Sequence, residues 1–538
     1  MMRPDSRRFL GLSAVIASLA AAAHILRLPG IVVDDAFISY RYALQWVRGH
    51  GLVFNVGEYV EGYSNPLWVW LTALGMILRA DPVAWTRSLG AAACLGCVIL
   101  TAWQTWRLTR SRTASIAASL LLASATAFCS AAMSGLETGF FALFVTATAA
   151  FFISRRYLAA SCAIALAGLT RPEGFAFLFV AAACLYVTRS KRDKIRLRVW
   201  LRLLAPALIA AFLLLAFRLV YYDALTPNSV VAKSAMFARL RLGDLVEWPG
   251  ILLNQPGLAY VFNFFMSTLG PASILCVAPA LLARSRRTAV TFLSIISTLG
   301  CAVAIYNFGD WMSSFRLLTP YLPIMTSLAC WGAVLTLKRA RESLQPIPAS
   351  ITKVIVPGLI LIAPIFAFQR ALPSESSRPD YELARLLESS KHPNLLAATD
   401  VLGRLGYFAP NIRIIDMAGL TDAFIARRGE PKPTFGKWHM AYVLSHRPDF
   451  LMTNVLSGWQ DVLPRGEFHR EYVWLDEPSF RKSPKTSPRY VFIRRGTILE
   501  QELKAAYPAA ILRSPSRAAE SVSEMAASSC AKEMNHAS

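Results

Sequence analysis

Apolar runs of roughly 15–22 residues recur along most of this chain, near 9–29, 86–106, 113–133, 138–154, 157–170, 174–188, 199–220, 261–283, 288–307, 316–337 and 351–370. A helix crossing a bilayer needs about 20 mostly apolar residues, so about eleven such runs imply a polytopic α-helical membrane protein. Composition agrees: 55% of the 538 residues are hydrophobic and 17% are charged, which lies outside the range of ordinary soluble domains. The runs at 157–170 and 174–188 are short and are expected to tilt or to sit in thinned bilayer. Pro66–Leu78 is shorter still and reads as a helix on the outer surface, with Asn65 as cap and Pro66 at its first position.

Loop charge sets the topology. The clusters Arg107/Arg110/Arg112, Arg155/Arg156, Arg189 to Arg202, Arg284/Arg286/Arg287 and Lys338/Arg339/Arg341 all fall on one side if Pro66–Leu78 is not counted as a span, and that side is cytoplasmic by the positive-inside rule. The net charge of +23 is therefore read as topological and not as a nucleic-acid surface. Arg3, Arg7 and Arg8 ahead of Leu10–Leu26 resemble a signal peptide, but the run continues to Pro29, so an uncleaved anchor is expected. Every cysteine except Cys530 lies in or beside an apolar run, so disulfides are not expected; Cys94 and Cys97 have no His or acidic neighbours that would suit a metal or redox role.

Almost every acidic residue before position 371 is left outside. Asp34 to Asp81, Ser134–Thr138, Thr170–Gly174, the loop from Tyr221 to about Tyr260, and Asn307–Trp311 with Arg316 are expected to converge on the outer face. Residues 1–372 thus read as the transmembrane catalytic domain, 373–514 as an extracytoplasmic α/β domain, and 515–538 as a disordered tail. Strands are expected at Leu395–Ala398, Ile412–Ile415, Phe450–Met452, Tyr472–Leu475 and Tyr490–Ile493, and helices near Tyr381–Ser389 and Asp422–Arg428.

The densest chemistry follows the first span. Asp34 and Asp35 open a stretch in which Phe37, Tyr40, Leu44 and Val47 mark one face of a helix that Gly49 can end. Either aspartate alone could be a helix cap, which leaves the other unexplained. Neighbours on a helix point about 100° apart, so a shared proton is disfavoured. One carboxylate as general base, with the other orienting it, a substrate hydroxyl or a divalent ion, is the favoured division; which does which stays open. Arg171 and Arg316, at outer ends of spans, suit a donor phosphate, with headgroup snorkelling the plain alternative. Lys233 is a weaker candidate of the same kind. Glu58, Glu61, Tyr63 and Asn65 offer partners for sugar hydroxyls, and Tyr40, Trp68 and Trp311 offer ring faces, although aromatics at this depth also serve as interface anchors. Nucleotide-binding glycine loops, HExxH and a nucleophile elbow are missing from the sequence.

Asp34-Asp-Ala-Phe-Ile-Ser-Tyr-Arg41-Tyr-Ala, followed by Gly51-Leu-Val-Phe-Asn-Val-Gly-Glu58-Tyr-Val-Glu61-Gly-Tyr-Ser-Asn65-Pro-Leu-Trp68, resembles the first outer loop of membrane GT-C glycosyltransferases, nearest the arabinofuranosyltransferase B-like group. The resemblance extends through Gly135-Leu-Glu137-Thr, Leu169-Thr-Arg171-Pro-Glu173-Gly, Asp310-Trp-Met and Asp416-Met-Ala-Gly-Leu-Thr-Asp422. It implies transfer of a sugar, arabinofuranose being one choice, from a polyprenyl-phosphate donor to an envelope glycan or lipid acceptor, with a first-loop aspartate as base. It also brings Arg41, Glu137, Glu173 and Asp310 into the candidate substrate site. No nucleic-acid partner is expected. A divalent cation (Ca²⁺, Mg²⁺ or Mn²⁺) near Asp34 and Asp35 is left open. The implied location is the bacterial cytoplasmic membrane, with site and tail outside. A transporter or flippase is the rival reading, although such proteins tend to place ionisable groups at mid-membrane on repeated, broken helices.

Overall fold

The structure, a computed structural model, describes residues 4–28, 32–188, 196–233, 256–283, 287–310, 312, 314–342, 358, 362, 378–392, 394–431, 436–454, 459, 462, 466–480, 489–515 and 517–518. Before residue 343 the α-helices among these residues are α1 Pro4–Arg27, α2 Asp34–Val47, α3 Pro66–Ile77, α4 Pro82–Thr109, α5 Arg112–Ser124, α6 Thr126–Met133, α7 Thr138–Ile153, α8 Tyr157–Thr170, α9 Ala176–Val187, α10 Leu197–Tyr222, α11 Asn228–Lys233, α12 Pro256–Thr268, α13 Ala278–Leu282, α14 Arg287–Tyr306 and α15 Leu322–Glu342.

Among the described residues, four helices are long and apolar enough to cross a membrane: Pro82–Thr109, Leu197–Tyr222, Arg287–Tyr306 and Thr319–Ala340. Two bent pairs raise the number to six by length and composition among the described residues, beside the eleven apolar runs expected. The remaining apolar helices present shorter apolar stretches, Ala14–Arg27 of α1 among them. The 16 residues of α7 rise about 24 Å at ~1.5 Å each, against a hydrocarbon thickness of about 30 Å. The expected span at 351–370 lies outside the described residues apart from 358 and 362, as do Trp311, Cys530 and residues 519–538.

Each bent pair corresponds to one expected apolar run, 113–133 and 261–283. α5 and α6 meet at 57° across Ala125, which has an extended backbone. His24 of α1 lies against this break, its ring nitrogens 3.1 Å from the Ala123 carbonyl and 3.3 Å from Thr126 Oγ1. α12 turns 106° into Gly270–Leu282, because Pro271 has no amide hydrogen with which to continue a helix.

α2 begins and ends where its sequence pattern places it. Its C-terminus closes as a Schellman motif: Gly49, at φ +85°, donates to the Trp46 carbonyl and His50 donates to that of Gln45. α3 starts at Pro66 as expected, with Asn65 in the cap position, but Asn65 makes no side-chain cap bond. Its amide turns instead toward Glu137.

From residue 378 onward the chain builds α16 Arg378–Ser389, β1 Leu396–Thr399, α17 Leu402–Phe408, β2 Arg413–Asp416, α18 Ala423–Arg428, β3 Glu430–Pro431, β4 Lys437–Trp438, α19 Met440–Ser445, β5 Phe450–Thr453, α20 Gly466–Glu471, β6 Tyr472–Asp476, β7 Tyr490–Arg494, α21 Ile498–Ala506 and β8 Ile511–Arg513. Six strands form a mixed sheet in the order β2-β1-β5-β7-β6-β8. β1 runs parallel to β2 (Leu396 opposite Arg413) and to β5 (Ala397 opposite Phe450), whereas β7, β6 and β8 pair antiparallel. The central strands β5 and β6 are buried along their whole length, as a sheet covered on both faces requires.

One face of this sheet carries a core of the unit's own, around Trp459, Phe468 and Phe492, and the other face shares its core with the first loop. One buried cluster joins Ile38, Tyr42, Phe54, Tyr63 and Val69 of the first loop to Leu383, Leu405, Ile414, Met452 and Val491 of the sheet unit. α17 lies against α2 at a distance only glycine allows: a Cβ on Gly403 would stand 2.0 Å from the Asp34 carbonyl oxygen. Gly403→Val is therefore expected to lower the melting temperature of the purified full-length protein by the equivalent of about 1–3 kcal/mol, the usual cost of overpacking. Gly466→Ala, where a Cβ meets nothing closer than 3.9 Å, is expected to leave it unchanged.

Candidate active site

Asp34 and Asp35 diverge, as adjacent helical residues must. The Asp34 carboxylate accepts hydrogen bonds from the backbone amides of Gly403 (2.9 Å) and Arg404 (2.8 Å), the second and third residues of α17. It thereby caps a helix some 370 residues away in the chain. Arg404, buried, lies 3.8 Å from Asp34 and 3.7 Å from Asp380, and donates to the Val32 carbonyl at 2.6 Å. Burial raises the Asp34 pKa, with the Arg404 charge opposing. With both Asp34 oxygens committed to amides, Asp34 and Asp35 do not face one another as a cation site. Among the described residues no three His, Cys, Asp or Glu side chains converge as metal ligands.

Asp35 points the other way, into a cavity of about 400 Å³. Contributions come from the first loop (Asp35, Ser39, Gly62, Asn65), from Leu136 and Glu137, from Arg171 to Glu173, from Ser229 and Lys233, from Asn307 and Arg316, and from Leu420 of the sheet unit. All five segments expected to converge thus reach one hollow. Asp35 Oδ2 lies 3.2 Å from Arg316 Nη1, while Arg316 Nε donates to Asp310 at 2.5 Å. Among the described residues no hydrogen bond reaches Asp35 Oδ1, which leaves one carboxylate oxygen open to a ligand.

The cations of the cavity differ. Burial works against the Arg316 charge, but Asp310 and Asp35 outweigh it and its pKa rises. Burial and the nearby Arg316 charge lower the pKa of Lys233, against the pull of Asp35 and Asp310. Arg171 is more fully engaged: Nε donates to Glu137 (2.7 Å), Nη2 to Thr138 Oγ1 (2.8 Å) and Nη1 to the Arg316 carbonyl (3.2 Å). It is a strut of the wall, not an open fork. Burial works to raise the Glu137 pKa, but Arg171 and the Asn65 amide at 2.9 Å hold it below the usual range. Glu173, with Arg171 as its opposing charge, is raised by burial.

Four expected substrate residues do not line this cavity. Arg41 is fully buried, and its guanidinium donates to the carbonyls of Phe54 (2.7 Å), Gly406 (2.8 Å) and Ile412 (2.8 Å). Glu61 is gripped by Arg218 of α10 through contacts of 2.8–3.1 Å. Glu58 pairs with Arg413 at 2.7 Å outside the cavity. Asp310 reaches the site through Arg316. The ring faces of Tyr40 and Trp68 are buried, with Tyr40 bonded to Thr86 and Trp68 to the Gly135 carbonyl.

Sequence reading passed over Asn228 and Ser229. Asn228 donates to the carbonyls of Gly419 (2.9 Å) and Leu420 (3.0 Å), latching the 416–422 turn onto the cavity. Ser229 Oγ lies buried in the wall with no partner among the described residues. Thr226-Pro-Asn-Ser was a legible helix start, but nothing in it named the turn it holds.

A family model described as a domain of unknown function (DUF8728) matches residues 370–506. No curated protein matches the chain. Among solved structures, ArnT from Cupriavidus metallidurans bound to undecaprenyl phosphate is similar at 14% identity and a TM-score of 0.47, over 89% of this chain and 97% of that one. ArnT from the same organism in the apo state is similar at 14% identity and 0.48, over 91% and 98%.

The two aspartates are expected to separate experimentally. Asp34→Ala strips the cap from α17 and is expected to cost about 0.5–2 kcal/mol, read as a lower melting temperature. Asp35→Ala, whose side chain holds no backbone group and whose loss leaves Arg316 paired with Asp310, is expected to lower the melting temperature less than Asp34→Ala.

Proposed function

We propose that this chain is an integral membrane glycosyltransferase that moves a sugar from a polyprenyl-phosphate donor to an envelope glycan or lipid acceptor on the outer face of the membrane. The observation that carries the reading is the cavity in which Asp35, with one oxygen open, stands beside Arg316 and Lys233. Loop charge supports the outer placement, and an enzyme outside the cell needs a donor that is already lipid-linked. An arabinofuranosyl donor is the sugar the motif resemblance favours.

The acceptor hydroxyl attacks the anomeric carbon while Asp35 takes its proton. The bond from that carbon to the phosphate oxygen breaks, and the electron pair leaves with the polyprenyl phosphate. Arg316 and Lys233 hold the growing phosphate charge, and Arg171, locked to Glu137, fixes the wall behind them. A single displacement of this kind inverts the anomeric configuration. Asn65, Glu137 and Glu173 line the space left for the sugar. The chain from residue 378 onward closes the cavity through Leu420 and acts as the extracytoplasmic α/β part of the enzyme.

Membranes carrying the protein, given labelled polyprenyl-phosphate pentoses and hexoses with an envelope glycan, test this reading. Sugar transfer without passage of the donor across the bilayer is the expected result. Passage without transfer would overturn it in favour of a flippase. Within that assay Asp35→Asn is expected to lower kcat by about 10²–10⁴-fold, the usual contribution of a positioned base, and unchanged turnover would remove Asp35 from the role.

Donor binding should also depend on pH in a defined direction. Lys233, its pKa lowered, is charged below that value and neutral above it, whereas Arg316 stays charged. The donor KM is therefore expected to rise on the alkaline side at a pH below the ordinary lysine value of about 10.4. Lys233→Arg is expected to abolish that rise.

A further inference from the structure

A second hollow, of about 330 Å³, lies between the first loop and the sheet unit and is not used by the chemistry above. Its floor is aromatic. Phe424 is 43% exposed, and its ring stacks on that of Tyr442 at 4.3 Å and 17°. Its rim is polar: Asp422 takes the Tyr442 hydroxyl at 3.3 Å, and Glu58 takes Arg413 Nε at 2.7 Å. The side chain of Arg413 is 58% exposed, and its Nη nitrogens make no hydrogen bond among the described residues. Asn55 is saturated by Arg41, Glu58 and the Ile414 backbone, so it holds the wall and offers nothing to a ligand.

The charge of this hollow narrows what it takes. Glu58 and Arg413 cancel, and Asp422 remains, so a phosphate or nucleotide would meet net repulsion. A flat apolar shelf rimmed by two carboxylates and an open guanidinium suits a ligand with many hydroxyls and no charge.

Its position narrows it further. Val60 and Thr421 line this hollow, whereas Gly62 and Leu420 line the catalytic cavity. The two sites are thus back to back across one thin wall, at which a Cβ on Gly62 would meet Thr421 Cγ2 at 2.5 Å. Two residues of extended chain cover only about 7 Å, so the two hollows are separated by less than the length of a ligand a few sugars long. Asp416 shapes this wall by accepting the amides of Ala418 (2.8 Å) and Thr421 (2.7 Å). The Asp416–Asp422 motif therefore serves both hollows.

We propose that the Phe424–Tyr442 hollow binds a neutral oligosaccharide, the body of the acceptor chain whose end enters the Asp35 cavity. The choice of a sugar rests on the proposed function; the aromatic shelf and its rim do not.

The test uses full-length protein in nanodiscs, titrated calorimetrically with tetrasaccharides of arabinose, mannose, galactose and glucose. At least one is expected to bind, with Phe424→Ala weakening it at least tenfold and Asp422→Asn, which retains a good helix cap for α18, at least threefold. Phe424 is exposed, so its truncation should leave the melting temperature unchanged. Failure of all four tetrasaccharides to bind, or equal affinity in the parent and Phe424→Ala, overturns the inference. Phe424-dependent binding with no transfer from any polyprenyl-phosphate donor would keep this site and sink the proposed function. Transfer without Phe424-dependent binding would do the reverse.

Discussion

One pair of side chains holds the first loop to the sheet unit. Asp34 and Arg41 stand seven residues apart on α2, about 10 Å along its axis at ~1.5 Å per residue, and they straddle α17. Asp34 takes two amides at its start, while Arg41 gives hydrogen bonds to the Gly406 carbonyl and to Ile412 beyond its end. α17 has seven residues, too short to be stable by itself. An unmet buried backbone group costs about 1–3 kcal/mol, so four or five such groups satisfied by α2 outweigh anything helix propensity supplies. The dipole contribution, about 0.3–1 kcal/mol at each end, has the same sign and is the smaller part.

Everything near the cavity inherits its position from this clamp. With Asp34 tied to α17, the turn of α2 sends Asp35 to the other side, toward Arg316. The same docking carries the 416–422 turn to the cavity, where Asn228 fastens it. The Glu61–Arg218 pair then ties the loop to α10, the most apolar of the candidate spans. Burial raises the Glu61 pKa and Arg218 opposes it. A buried pair of this sort adds little net stability once desolvation is counted, but losing one partner is expensive. Its effect is to exclude other placements of the loop, which a site assembled from five segments requires.

The parts legible in the sequence were those written locally. The apolar positions of α2 and Gly49 predicted its extent, Pro66 predicted the start of α3, and five strands of the sheet were placed within two residues. The alternating charge of the loops predicted that segments far apart in sequence share one hollow. What failed was written in partners far away. α17 carries two glycines in seven residues, which argues against a helix until α2 is seen to need them for close approach. Arg41, Glu58 and Glu61 look like ligand groups in a polar loop, and only tertiary contacts reveal that Phe54, Arg413 and Arg218 already occupy them. Hydropathy reports apolar length and not straightness, so the bends at Ala125 and Pro271 inside two of the apolar runs were not legible in the sequence.

The distribution of committed and open polar atoms separates structure from chemistry in this chain. From Asp34 a buried sequence of charges runs through Arg404 and Asp380 to Arg489, where Arg489 grips both oxygens of Asp380 at 2.7 and 2.9 Å. Every carboxylate there is bonded on both oxygens or flanked by two cations, as burial demands. Around Asp35 the pattern is different: one guanidinium is shared between two carboxylates, Asp35 keeps an unbonded oxygen, and Ser229 Oγ has no partner among the described residues. Unmet polar atoms in a cavity wall are costly unless a ligand or water supplies the missing bonds. This contrast is what leads the proposed mechanism to give the base role to Asp35 and the structural role to Asp34.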